Sequence, residues 1–566
     1  MFVSLVLSGC NNTVSTSFDT TSSSIDDSST ITSISEPASS YEKDEQGFYI
    51  LEDDYFSYTE DINDTKQKNQ VYIPELVENQ PLYSQFRMYI GNQNVPIYNV
   101  KTNYSHSWAG DAPNRMNNAV TTIGLNGKAI IKVQTSFNIL NDVQIRPLDR
   151  KVNYQIDDSR NVLIFEIKST GQYTIEFRNE RTLHLFVNSI EDMYNPFDNA
   201  IVFGPGIHNS SNDSRINSSG IINLYSNQNV YIAPNAFIYG SFRAYNASNI
   251  KIVGSGYVDG STFKRNAYTG DVLVPFDFDY CSNITFNNLS CIDPAGWCFN
   301  IYFCKEVYFN NVKIISSRSN GDGISIQSCK NVYVDQCFVR TWDDSLVVKN
   351  YPEWSNKSSQ GVTSNINFSN CVVWTDLAQS MEIGYETVGV NMSDIKFENI
   401  TVLHNYHKAV FSIHNGNNAN IKNVTFKNIT VEDAKMGKGD GNICLVDLAN
   451  VYSSTWSDQH AITSLGSIDN VDFIDIKIVS GITEPSISIN GCIDPRVGYS
   501  KEPHYITNVT FTNFYLYYEF INSSYSNFNT SYSSNIVFET KDYINLGAIL
   551  ISDDVSGFGN NIEFLS

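Results

Sequence analysis

From residue 227 onward the chain repeats one phrase: a polar residue, often Asn, an alternating apolar run, a second polar residue, and another apolar run. Copies such as SNITFNNLSCID, KEVYFNNVKIIS, KNVYVDQCFVRT, SNINFSNCVVWT, SDIKFENITVLH and KNVTFKNITVED open at Ile284, Val307, Val332, Ile366, Ile395 and Val424. Further copies open at Val230, Ile250, Val471 and Val509, and the tightest intervals are 20, 23 and 25 residues. Alternation with a period of two in such short pieces is a strand signal, and no window keeps the helical period that a solenoid of paired helices requires. Two strand pieces per copy, stacked at about 4.8 Å, predict the coils of a right-handed parallel β-helix. The recurrent internal Asn (Asn287, Asn310, Asn370, Asn399, Asn428) is expected to take left-handed turns and to stack in a hydrogen-bonded ladder.

Residues 81–195 show strand patterns without a repeat, among them KAIIKVQTS, NVLIFEIKS, GQYTIEFRN and TLHLFVNSI, separated by turn-forming Gly, Asn and Asp. This predicts an antiparallel β-sandwich. The expected fold is therefore all-β, an N-terminal sandwich followed by the β-helix over 196–566, whose tail from about 520 forms a last coil or cap. Residues 11–80 read as a tether and lead-in, rich in Ser, Thr and Asp over 11–45. Residues 1–10, MFVSLVLSGC, look like the remnant of a bacterial lipoprotein signal peptide, with Leu7-Ser8-Gly9-Cys10 as the lipobox and Cys10 the lipidated residue, although a basic start is missing. That implies an extracellular, surface-displayed lipoprotein touching the membrane only through its anchor.

Charge narrows the partners. The net charge is −23 with no basic cluster, which disfavours nucleic acid and anionic polymers and leaves a neutral polymer compatible. Nine cysteines remain besides Cys10, six of them (Cys281, Cys291, Cys298, Cys304, Cys329, Cys337) within 57 residues. They lack zinc-site spacing and sit in apolar runs, so they read as buried core residues, with a disulfide or two still possible. No cofactor or metal is expected, and the protein reads as a monomer.

Candidate chemistry lies in SNGDGISIQSCKNVYVDQCFVRTWDDSLVVK, residues 319–349, where Asp322 precedes the pair Asp343–Asp344 by one short coil (343 − 322 = 21). Carboxylates meeting on one surface suit glycosidic-bond hydrolysis, in which one group protonates the leaving oxygen and another activates water. Asp side chains that merely cap turns are the bland alternative. Neighbouring strand residues point to opposite faces, so Asp343 and Asp344 can share a cleft only if the chain bends there. Around them, Trp342, Trp374, Tyr351 and Trp354 are candidate sugar platforms, and Lys349 could reach hydroxyls or tune the acids. Glu382 and Glu386 fall one coil on as candidate binding carboxylates, and His404, His407 and His414 another coil on, read as sugar-bonding or structural rather than metal ligands.

These motifs resemble the β-helical glycoside hydrolases: the polygalacturonases (family 28) and the dextranases and isopullulanases (family 49). Asn320–Gly323 resembles the Asn-Thr-Asp element and Trp342–Ser345 the Asp-Asp element, and a sandwich ahead of the helix is the dextranase arrangement. The resemblance implies Asp343 as general acid, Asp322 and Asp344 as the groups that hold and deprotonate water, and inversion at the anomeric carbon. Two elements depart. Gln379 stands where polygalacturonases carry the His of Gly-His-Gly, and Ser412 and His414 stand in place of the Arg and Lys that hold a uronate carboxylate. This favours a neutral poly- or oligosaccharide over pectate. A polysaccharide lyase is disfavoured by the lack of an Arg/Lys cluster near the acids, and a non-catalytic glycan-binding adhesin stands as the non-enzyme alternative.

Overall fold

The computed structural model describes residues 41–56, 69–105, 114–140, 142–265, 273–351, 361–436, 443–452 and 464–541. Cys10, the lipobox, most of the tether, Trp354 and the end of the C-terminal tail lie outside them.

Each repeat forms one coil of a parallel β-helix, with the right-handed winding that parallel crossovers take. A first face stacks strands such as Ser282–Asn287, Lys305–Asn310 and Lys330–Asp335. A second stacks Ser290–Ile292, Lys313–Ile315, Phe338–Thr341 and Val372–Thr375. The third is an 11-stranded parallel sheet running from Ile221–Leu224 to Phe528–Ser531. From Gly389–Asn405 onward the first two faces fuse into single long strands.

The predicted repeat openings pair in register from Ile250 to Val509. Val230 pairs with Ile252 rather than Ile250. A shift of two residues keeps the same side chains inward, so the core tolerates it. Inside, Phe368, Phe397, Phe426, Phe473, Phe511 and Phe538 form one stack with centroids 4.9, 5.1, 4.9, 4.8 and 4.8 Å apart, each step one coil. Eight described cysteines are buried, Cys492 is half-buried, and all nine are free thiols.

The turn ladder is displaced by one residue in two coils. Asn370, Asn399 and Asn428 are left-handed (φ 55°, 55° and 49°), but in the earlier coils Asn288 and Asn311 (φ 64° and 52°) make the turn, not Asn287 and Asn310. The latter end strands and still bond to each other at 2.8 Å. A second left-handed ladder, including Asn283, Asn331, Asn365 and Asn423, opens the first-face strands and escaped the sequence reading.

The N-terminal body contains a sheet built on Met116–Asn126, Arg181–Asn188 and Gly171–Phe177 and a second built on Phe86–Ile90, Ala129–Thr135 and Val162–Ile167. They share one apolar cluster that includes Met88, Ile131, Leu163, Ile123, Ile175 and Leu185. Two expectations need correction. Met116–Asn126 and Arg181–Asn188 run parallel, because the chain between them crosses through the second sheet. The body also begins before residue 81: Gln70–Tyr72 pairs with Gly124–Asn126, and Phe48 and Val77 are buried, so the lead-in is folded well ahead of that point.

The first of these sheets lies against the second face of the β-helix. Tyr98, Val120 and Phe186 pack there with Phe237, Phe338 and Trp374. Residues from Lys43 onward accordingly form one compact unit. Among the described residues no helix is long and apolar enough to cross a membrane.

Candidate active site

The third sheet positions the chemistry. Its inward residues (Ile324 and Ile326, Leu346 and Val348, Met381 and Ile383, Phe411 and Ile413) belong to the core. Alternation therefore turns Ser325, Val347, Glu382, Ser412 and Asp447 outward in one column. Gln327 and Lys349 are register partners in a second outward column.

The acids precede this sheet, in the turn arriving from the second face. Asp343 falls in a bend between Phe338–Thr341 and Leu346–Asn350. The alternation that would part Asp343 from Asp344 on a strand does not apply there. Gly323 donates its amide to the Asp344 carbonyl at 2.9 Å, which sets the Asp322 coil directly against the Asp344 coil. A Cβ on Gly323 would sit 2.4 Å from the Ser345 carbonyl oxygen, so the glycine beside Asp322 permits this approach.

Backbone amides aim the carboxylates. Asp343 accepts from Asn320 N at 3.0 Å and from Asp344 N at 3.1 Å, one bond to each oxygen. Asp344 accepts from Gln379 N at 3.1 Å. Lys349 Nζ lies 3.4 Å from Asp322 and 3.3 Å from Glu386. Its ammonium also sits 5.0 Å from the Trp297 ring centroid, and Tyr351 lies 6.2 Å from that ring.

The group is nearly closed to solvent. Asp322 is 2% exposed, Asp343 8% and Asp344 9%. Burial is the main force on all three carboxyls and raises each above the ordinary carboxylate range. Asp344, raised further by Asp343 and relieved by Lys349, is pushed up to about 7. Asp322 is raised well above its usual value, with Asp343, Asp344 and Glu386 adding to burial and Lys349 opposing it. Lys349 is driven the other way: burial works against its charge, but Glu386, Asp322, Asp344 and Asp343 together hold it well above the usual ammonium range. Three interacting carboxyls titrate as a set, which can hold a proton near neutrality.

A second charged cluster sits on the neighbouring coils. His414 Nδ1 is 2.9 Å from Glu382 and its Nε2 is 3.2 Å from Asp447, while Ser412 Oγ donates to Glu382. Burial opposes the imidazolium, but Glu382 and Asp447 prevail and raise its pKa to about 10. The Tyr385 ring stacks on His414 at 4.2 Å.

The model of Glycosyl hydrolases family 28 matches residues 240–375, a segment that includes all three aspartates. The chain is a glycoside hydrolase of the parallel β-helix kind. Among solved structures the glycosidase is similar to Dex49A from Penicillium minioluteum, with 12% identity, a TM-score of 0.53, and coverage of 83% of this chain and 96% of that one. A hyperthermoactive exopolygalacturonase from Thermotoga maritima matches with 14% identity and a TM-score of 0.39, over 60% and 83% of the two chains. The catalytic domain of a GH87 alpha-1,3-glucanase in complex with nigerose matches with 11% identity and a TM-score of 0.33, over 81% and 99%. A search of curated proteins finds no match.

Most candidate residues of the glycosidase converge on the third sheet: Asp322, Asp343, Asp344, Lys349, Gln379, Glu382, Glu386 and His414. Trp342 and Trp374 do not serve as sugar platforms. Trp342 is fully buried against Leu377, and its indole N–H donates to the Ser105 carbonyl at 2.9 Å. Trp374 is 1% exposed and packs against the His404 ring, centroids 4.3 Å apart and planes tilted by 51°. The N-terminal body covers the outward side of the second face, so residues aimed there become interface. His404 shares that fate, 2.9 Å from Glu176 and 2.8 Å from Asp433. His407 is buried in the turn before Lys408. The three histidines of adjacent sequence are thus separated, His404 at the N-terminal body, His407 in the turn and His414 on the third sheet.

Sequence reasoning missed Trp297, Asp447 and Lys408, whose charge lowers the Asp343 pKa. Asp447 was legible in principle, being the register partner of Ser412. Lys408 lies in a turn, where no repeat phase applies.

Proposed function

We propose that the glycosidase hydrolyses O-glycosidic bonds of a neutral poly- or oligosaccharide, dextranase-like, with inversion of the anomeric carbon. Asp343 is the general acid. Asp322 and Asp344 hold and deprotonate the attacking water. The Lys349 ammonium, 3.4 Å from Asp322, works against the burial and like charge that raise this carboxyl, and so toward the ionised form a base needs. The observation that carries the neutral-substrate reading is the Glu382–His414–Asp447 cluster. Where the family resemblance puts an Arg and a Lys for a uronate, Ser412 and His414 instead hold the protein's own Glu382, and Asp447 adds a second carboxylate. A substrate carboxylate there meets like charge and finds the available cation already paired.

The test is a panel of neutral and uronate polysaccharides incubated with wild type and Asp343→Asn, following reducing ends and, by NMR, the anomer first released. Expected are products from a neutral glycan, inverted configuration, and a loss of about 10²–10⁴-fold in kcat for the variant, smaller on substrates with activated leaving groups. Retention overturns the mechanism, and products from polygalacturonate alone overturn the substrate class. Full biological activity of Asp343→Asn would favour a glycan-binding adhesin.

Display of the monomer at the bacterial cell surface through a lipid on Cys10 is part of this proposal, supported by the LSGC motif. Metabolic labelling with palmitate, present in wild type and lost in Cys10→Ser, tests it.

A further inference from the structure

The third sheet, whose strands follow the acids, continues for several coils toward the N-terminal end of the β-helix, and there it exposes aromatic rings. Leu224 pairs with Ala244, so Tyr225 and Tyr245 follow at equivalent positions on adjacent coils. Both are among the most exposed large side chains of the chain, at 66% and 69%. The inward Leu224 and Ala244 belong to the core, so alternation turns the two tyrosines outward, on the same side as Lys349.

Register connects this pair to the catalytic coils. Tyr245 pairs with Asp279, Asp279 with Tyr302, Tyr302 with Gln327 and Gln327 with Lys349. Four steps of one coil put Tyr245 about 19 Å from the Lys349 position along the helix axis, and Tyr225, one coil further, about 24 Å away. Aromatic contacts extend inward from it: Tyr245 meets Tyr280 edge-on at 5.8 Å, and Tyr280 meets Tyr302 at 5.7 Å. In the neighbouring outward column Arg243 and Asp277 supply donors and acceptors, with side chains 37% and 27% exposed, while Asn300 beyond them is buried and bonded to Asp277 and Gln327.

Exposed aromatic rings cost solvation and are characteristic of interaction sites. Other exposed rings, such as Tyr194 and Tyr518, have no such register partner on this face. Flat rings beside a polar strip suit the C–H faces and hydroxyl edges of sugar rings, and they stand in the same register column as Lys349, separated from it by the buried Tyr302 and Gln327. We propose that Tyr225 and Tyr245, with Arg243 and Asp277 beside them, form a glycan-binding platform that holds a distal part of the polysaccharide whose bond is cut near Asp322, Asp343 and Asp344. The platform deepens the glycan-hydrolase reading and rests on it.

The experiment compares wild type with Tyr225→Ala/Tyr245→Ala on the polysaccharide that wild type cleaves and on the shortest oligosaccharide it cleaves. The expected result is a KM for polymer raised about tenfold, with kcat and all constants on the short substrate unchanged. Tyr245→Phe and Tyr225→Phe should restore the polymer KM, since stacking needs the ring and not the hydroxyl. Equal constants for wild type and the double variant on polymer overturn the platform while leaving hydrolysis intact. Gel retardation by the polysaccharide panel in the Asp343→Asn background gives a readout independent of turnover. Retardation weakened by the tyrosine substitutions supports the platform. Retardation unaffected by them, or none with any glycan, overturns it, whereas absence of cleavage by wild type alone overturns the hydrolase reading.

Discussion

Asp344 shows how function and stability oppose each other at a single side chain. Its carboxyl belongs near 4 in the unfolded chain, and burial with Asp343 nearby pushes it up to about 7 in the folded one. Between these values the folded state holds a proton the unfolded state has released, so its contribution to stability is present at low pH and is lost as pH rises through about 7. Asp344→Asn keeps an acceptor for the Gln379 amide and removes the buried charge. The variant is expected to melt about 2–4 °C above wild type at pH 8, with the difference vanishing near pH 4, as read by thermal unfolding across pH. Its kcat should fall despite the higher melting temperature. The alkaline limb of the wild-type rate profile should lie near the titration of this carboxyl set, since the acid must be protonated to act.

At the scale of the coil, turns and core carry separate shares of stability. Asn399 is left-handed, donates to Asn370 at 3.2 Å and accepts from Asn428 at 2.7 Å. Replacement by Ala removes both bonds and strains the turn, an expected loss of about 1–3 kcal/mol in urea unfolding. Phe426 sits between Phe397 and Phe473 in the interior stack, and Phe426→Ala should cost about 3–5 kcal/mol by leaving a cavity between coils. The coil was legible because each element repeats the same phase: Val307, Val332 and Ile366 all mark the same inward position and pair in register. The exact turn residue was less legible. In FNN both asparagines can take the left-handed shape, and the folded coils place it at Asn288 and Asn311 rather than at Asn287 and Asn310.

For the whole molecule the decisive feature is the seam between the N-terminal body and the second face of the β-helix. Arg340 and Asp376 are fully buried there, 3.3 Å apart. Arg340 also reaches Thr182 and His184 of the N-terminal body at 3.2 and 3.1 Å and lies over the Trp374 ring at 3.8 Å. Burial and the adjacent guanidinium keep His184 well below its usual pKa, hence neutral and able to accept. Arg340→Ala leaves Asp376 without its buried counterion and should cost about 3–5 kcal/mol, whereas Arg340→Met/Asp376→Leu should recover much of that. Calorimetry checks both. Arg340 and Asp376 occupy the coils that lead into Asp343 and Gln379, so the single replacement should also lower kcat.

The repeat phase by itself determined the β-helix, the inward and outward sides of its strands, and the stacking of the Asp322 coil beneath that of Asp343 and Asp344. It could do so because coils one repeat apart interact locally and reuse one pattern. The tertiary structure alone decided which outward side chains meet solvent. Trp342, Trp374 and His404 look like sugar-binding residues in a linear reading, yet another body of the same chain lies against them. Lys349 met Glu386, and His414 met Glu382 and Asp447, only when the third sheet aligned their coils. Burial and electrostatic coupling arise from neighbours distant in sequence, and no local pattern encodes those neighbours.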